Sequence, residues 1–272
     1  MARSQKVPEE ELKLYHIFGD ETCQEGHEWM GLGTTSVSDE HLAHVRAMFL
    51  AWKRRMGLQG EIKWEFTNKK NVERYKTMAT VYFNLLDRDI LRFHGMTIPA
   101  ADFELPDDEA AEASYNRCFH HLLLWKYCDS EMAPRGEMAK RKYYVVFDER
   151  TSPVPWKPFR LAVCRAAATR YGMDHWPFRR MGYEKSHLEI MLQVNDLILG
   201  AVGFWWNDKH RTIPTATSPK ADLARHIKNA TRFKSLLQIP YNSKRFTIWP
   251  MKFSENAPVS LGMPKGQSAT PR

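Results

Sequence analysis

The chain has 272 residues, 43% of them apolar, with nine Trp and fourteen Phe, so it can bury a sizeable core and is not a disordered protein. Its longest apolar run, LILGAVGFWW at 197–206, is about half of the roughly 20 residues that cross a bilayer, so no membrane span is expected. The net charge of +8 sits mainly in one place: residues 200–253 hold ten Lys and Arg against Asp208 and Asp222.

The first residues, MARSQKVPEEELKLYHIF, contain three successive Glu and no apolar run of signal-peptide length, so no secretory signal is expected. Residues 1–11 read as an N-terminal arm. LKLYHIFGDET, to residue 22, reads as a strand ending in acids. CQEG is a turn by composition, and 27–36 are the hairpin partner. Ser38 opens a helix to about Met56, with Leu42, Val45, Phe49 and Trp52 at helical spacing and Gly57 as its stop. GEIKWEF at 60–66 reads as short and extended. NVERYKTMATVYFNLLDRD is a second amphipathic helix, and ILRFHGMTIPA a third strand. The stretch 99–114, with six acids and no base, leads into a long helix through CFHHLLLWKYC.

KRKYYVVFDER at 140–150 is the clearest buried strand, an apolar run closed by Asp148. WKPFRLAVCRAAATRYGM then reads as a helix and RRMGYEKS as a strand. EIMLQVNDLILGAVGFWW, 189–206, has the apolar spacing of a buried helix but carries Gln193, Asn195 and Asp196. Ser218 caps a helix over 218–237, with Pro219 in its first turn. RFTIWPMKF is a final strand, and 254–272 reads as a disordered tail. An antiparallel opening followed by strand–helix alternation predicts an α/β protein: one domain over 12–253, with a mixed sheet flanked by helices and helical insertions.

The chemistry is expected in the carboxylates. Asp20 ends the first strand, Glu61 and Glu65 flank Lys63, Asp148 ends the fourth strand, and Asp196 lies within the apolar helix. A buried, unpaired Asp costs several kcal/mol or more unless a hydrogen bond, an ion pair or a metal compensates it. Acids at two strand ends and on a packed helix can converge on Mg²⁺ or Mn²⁺, which take hard oxygen ligands and catalyse phosphoryl displacement without a nucleophilic side chain. Taken singly, each acid reads more readily as a turn former or surface charge, and it is the set of them with Asp196 in an apolar helix that points to a site. On a helix Gln193, Asp196 and Gly200 share one face, so acid and amide can point at one site with a glycine leaving room.

FGDET, EIKW, VVFDER and LQVNDLILGAVG, in that order, resemble the "domain of unknown function" family numbered 3800, which is assigned a ribonuclease H-like fold. The resemblance spans about 14–253 as a series of short motifs. It implies that Asp20, Asp148 and Asp196 match the metal-binding acids of a ribonuclease H-like nuclease. Glu61 is the fourth acid, with Glu21, Glu149 and Glu184 as alternatives. Thr22 and Cys23 stand where the family has Ser-Gly, and Asn195 where it has Ala. Lys63, between two acids, reads either as a salt-bridged lysine or as a contact to a phosphate or leaving group, and the family's acid-x-Lys pattern implies the second.

Beyond Pro219, Arg225, Lys228 and Arg232 share a basic face suited to nucleic-acid phosphates, although such a face can also be merely solvated. Trp205, Trp206 and Trp249 could stack bases, and His187 could serve as a base. The pairs His41/His44 and His120/His121 lack zinc spacing and read as packing or surface residues. The four widely spaced cysteines predict reduced thiols in a cytoplasmic protein. The function expected is a Mg²⁺- or Mn²⁺-dependent nuclease acting on DNA or RNA. The alternative is a non-catalytic nucleic-acid-binding accessory protein on the same fold, in the mobile-element or defence settings where family members occur.

Overall fold

In the computed structural model, residues 8–23, 26–103, 108–128, 140–149, 156–173, 175–237, 239 and 243–251 are described. The first strand, β1 (Lys13–Thr22), alternates in the way a two-sided strand must. Ile17 enters one apolar cluster and Phe18 the other. β1 pairs antiparallel with β2 (Trp29–Ser38), and β2 with β3 (Leu91–Pro99). β4 (Arg141–Asp148) runs parallel to β1, β5 (Phe178–Glu184) parallel to β4, and β6 (Phe246–Pro250) parallel to β3. The result is one mixed six-stranded sheet in the order β5-β4-β1-β2-β3-β6.

Helices cover both faces. α1 (Asp39–Arg55), α2 (Val72–Asp87), α5 (Ile190–Trp206) and α7 (Pro219–Ala230) share a core with Phe18, Phe93 and Phe246. α3 (Asp108–Tyr127) and α4 (Trp156–Tyr171) pack with Ile17, Leu32, Val145 and Phe147 on the other face. A short α6 (Lys209–Thr212) joins α5 to α7. The expected α/β class and single-domain mixed sheet flanked by helices are present. No helix among the described residues is long and apolar enough to cross a membrane.

Two expectations are corrected. Residues 60–66, expected to be short and extended, are a loop that ends in a turn, because backbone donors of the loop are taken by helix side chains rather than by a neighbouring strand. Ile62 N–H donates to Gln193 Oε1 (3.0 Å) and Trp64 N–H to Asp196 Oδ2 (2.6 Å). The chain then turns tightly, with Phe66 N–H donating to Lys63 O and Thr67 N–H to Trp64 O. The last helix ends at Ala230 rather than 237, since Arg232 takes a left-handed φ of 61°. Within the arm, residues 9–11 form a 3-10 turn whose Glu9 pairs with Lys142 on β4 and Arg179 on β5. The tail from 254 lies outside the described residues.

Candidate functional site

β1 and β4 lie side by side and parallel, with Gly19 paired to Phe147. The next residues are Asp148, the last of β4, and Asp20, where β1 has run past β4 and has two residues left, and side-chain alternation puts both on the face covered by α5. The carboxyl ends of parallel strands are where open α/β sheets place their ligand sites. Asp20 is only 7% exposed, and its Oδ1 accepts just the Glu21 N–H, at 2.8 Å. Asp148 Oδ1 accepts the N–H groups of Glu149 (2.9 Å) and Ser186 (3.0 Å).

α5 explains its own polar residues. Asn195 is fully buried, accepts the Thr35 hydroxyl (2.8 Å) and donates to Gly33 O (3.2 Å), with Tyr82 completing the network at Thr35 (2.8 Å). This clamps the helix to β2, so Asn195 belongs to the scaffold. The face of Gln193, Asp196 and Gly200 holds the 61–64 loop. Gln193 Oε1 also accepts Lys53 Nζ (3.1 Å), while its amide donates to Ser186 O (2.8 Å). Gly200 admits the Trp64 ring, since a Cβ there would lie 2.1 Å from its Cγ. Gly203 likewise admits Cys23, 2.6 Å from a Cβ built at that position.

Electrostatics tie the acids together. Burial raises the Asp20 pKa well above the carboxylate range, and the charges of Asp196, Glu21 and Asp148 push it further. Burial lifts Asp196 to about 6, against the Trp64 N–H and Lys63 that pull it down. Asp148 and Glu61 add to its rise. Lys63 answers to all four. Burial lowers it, but Glu61, Asp148, Asp196 and Asp20 together hold it above the ordinary lysine value. Lys63 Nζ lies 3.7 Å from Glu61 Oε1, an atom that is buried and accepts no hydrogen bond. Of the alternative acids, Glu149 and Glu184 are exposed, and Glu21 acts on Asp20 from the next position along β1.

Four carboxylates, one of them with a buried oxygen that accepts no hydrogen bond, are the donor type a hard cation takes, while the Lys63 ammonium beside them competes for the same oxygens. Among the described residues, however, no three His, Cys, Asp or Glu side chains stand close enough together to hold a metal ion. The acids share a field without forming a coordination sphere.

Of the basic residues, Arg225 and Lys228 line a cleft of about 260 Å³ with Trp205 and His210, whose rings stack at 3.9 Å. Arg232 instead pairs with Asp87 at 2.6 Å. The charges of Lys209 and Lys220 reach Cys23, so the basic segment approaches the end of β1. Burial raises the Cys23 thiol pKa, which rules against a nucleophile there. His120 is a buried packing residue, and His187 is exposed. The sequence reading missed Trp64 as the anchor of the loop and Lys53 as a second donor to Gln193. For Trp64 the signal was its place in EIKW; for Lys53 the sequence carries none. No family model, curated protein or solved structure matches the chain.

The field has a consequence for stability. A carboxyl whose folded pKa exceeds its unfolded value stabilises the fold below the unfolded pKa, and that contribution is lost as pH rises through the folded one. Without metal, wild type should therefore lose stability relative to Asp20→Asn as pH rises from about 4 into the neutral range. Buried His94 and His120 and half-buried His121, whose pKa values are lowered, oppose this trend equally in both proteins. Melting curves in EDTA check it, and a pH-independent difference would contradict the buried-carboxyl assignment.

Proposed function

We propose that the chain is a metal-dependent nuclease of ribonuclease H-like fold, belonging to the family its motifs resemble. One observation carries the reading: Asp20, Asp148 and Asp196 act on one another where β1, β4 and α5 meet, beside a buried Glu61 oxygen that has no hydrogen-bond partner. The antiparallel opening of β1 to β3, followed by parallel β4 and β5 with helices between, supports the fold. Asp20, Glu61, Asp148 and Asp196 would hold Mg²⁺ or Mn²⁺. Such an ion, when bound, supplies hydroxide and stabilises charge on the leaving oxygen.

The chain's own residues do the rest. Lys63 places a cation among the acids, where it can meet a phosphate oxygen. Asp196 fixes the loop bearing Glu61 and Lys63 through the Trp64 N–H, and Gln193 secures the same loop at Ile62. Arg225 and Lys228 offer phosphate contacts in their cleft. Four free cysteines are in keeping with a reducing, cytoplasmic setting. The ungathered acids favour the second reading, a nucleic-acid-binding protein on the same scaffold without catalysis.

Mn²⁺ or Mg²⁺ should raise the melting temperature of the chain, because an ion bound only by the folded state stabilises it by mass action. The same ions should support cleavage of labelled DNA or RNA, and EDTA should abolish it. Nucleic-acid binding should also fall steeply with salt, by a log–log slope near −0.9 per neutralised duplex phosphate. Binding without a metal shift or cleavage would favour the second reading, and salt-insensitive binding would count against both.

A further inference from the structure

We propose that the cleft beside Glu61 is a binding site for unpaired nucleotides, with Phe66 as the platform on which a base stacks. The inference rests on the nuclease reading for the neighbouring acids and adds the substrate class, single-stranded nucleic acid. The cleft measures about 330 Å³ and is lined by Glu61, Phe66, Lys70, Asn71, Arg74 and Tyr75. Small-molecule sites run from roughly 300 to 1,000 Å³, so one base with its sugar-phosphate fits and a duplex does not.

Phe66 is 50% exposed, which by itself is ordinary for a surface residue. Its mounting is not. Asn68 Nδ2 and Asn71 Nδ2 both donate to Phe66 O (2.9 Å each). Asn68 N–H donates to Asn71 Oδ1, and Lys70 N–H to Asn68 Oδ1 (2.8 Å each). Side chains thus bind the turn at every step and hold an apolar ring out towards water. Rigid presentation lowers the entropy lost when a base stacks on the ring.

The charges around it are unspent. Lys69, Lys70 and Arg74 are exposed, and none forms an ion pair with a described residue. A row of free cations beside an exposed aromatic ring is the combination that tracks a single strand: phosphates on the cations, nucleobases on the ring. The cleft is also continuous with the acids. Glu61 is one wall, and Tyr75, another, feels the charges of Asp196 and Glu61. A strand seated on Phe66 would have its next phosphate at Lys63 and the carboxylates.

The test is fluorescence anisotropy in EDTA with a labelled oligothymidylate and a duplex of the same length. The single strand should bind more tightly than the duplex. Phe66→Ala should weaken single-strand binding roughly 5- to 150-fold, the range for one stacked base, and Phe66→Trp should restore it. Replacing Lys70 and Arg74 by Glu should flatten the salt slope by about 0.7 for each phosphate no longer neutralised. Unchanged affinity in Phe66→Ala, or a duplex bound as tightly as the single strand, overturns the inference and leaves Phe66 to a protein partner. Phe66-dependent binding in a protein with no metal-dependent cleavage supports the site and defeats the nuclease reading alone. Cleavage that persists with Phe66-independent binding does the reverse.

Discussion

Asp196→Asn should reduce Mn²⁺-dependent cleavage by on the order of 100-fold or more, while its melting temperature in EDTA matches or exceeds that of wild type. Asn keeps an oxygen for the Trp64 N–H, so the loop stays anchored, and only the charge is removed. That charge is costly without a cation: burial and the neighbouring acids already lift Asp196 to about 6. Its loss matters only where electrostatic stabilisation of the reacting phosphate is needed. Asp196→Ala separates the two roles, because it strands the Trp64 N–H and should cost about 1–3 kcal/mol with or without metal. If Asp196→Asn melts markedly lower in EDTA and wild type shows no metal-dependent cleavage, Asp196 is a structural residue and the nuclease reading fails.

Gly200→Ala should destabilise the protein by about 1–3 kcal/mol and also lower activity, against the usual direction for this exchange. In an ordinary helix interior, Ala replacing Gly gains roughly 0.5–1 kcal/mol. Here the new methyl would lie 2.1 Å from Trp64 Cγ and 2.5 Å from its Cβ, so the loop as well as the ring must move. Glu61 and Lys63 ride on that loop, and a misplacement of about 1 Å near reacting groups can cost on the order of 100-fold. Urea unfolding and the cleavage assay measure the two effects. A stabilised Gly200→Ala would mean that Trp64 does not pack against this helix.

Much of this arrangement was legible in the sequence because it follows from local pattern. Asp20 and Asp148 stand where alternating or apolar runs stop, and such positions face a sheet end in almost any α/β fold. The shared face of Gln193, Asp196 and Gly200 follows from helical spacing, and all three contact the 61–64 loop. The loop was legible only as a short extended stretch, because its partners lie some 130 residues downstream and composition carries no trace of them. The extent of the last helix was misread for a similar reason: Arg232 turns left-handed and pairs with Asp87, at the end of α2. Phe66 drew no notice, since an aromatic residue in a polar stretch looks like any other until its exposure is known. Whether the acids gather on a cation depends on side-chain positions that no pattern encodes.

The parallel pairing of β1 with β4 also governs when the site can exist during synthesis. β1, β2 and β3 can zip into an antiparallel meander once residue 99 has left the ribosome. The outer edge of β1, which carries Asp20, then waits without a partner until β4 is made, and α5 arrives some forty residues later still. A nascent or truncated chain therefore has an open strand edge and an uncovered apolar face, the features that draw chaperones and aggregation. It also has no assembled acid site. If the nuclease reading holds, a nascent chain cannot cut nucleic acid before α5 has been made, and chains ending before α5 would be inert as well as unstable.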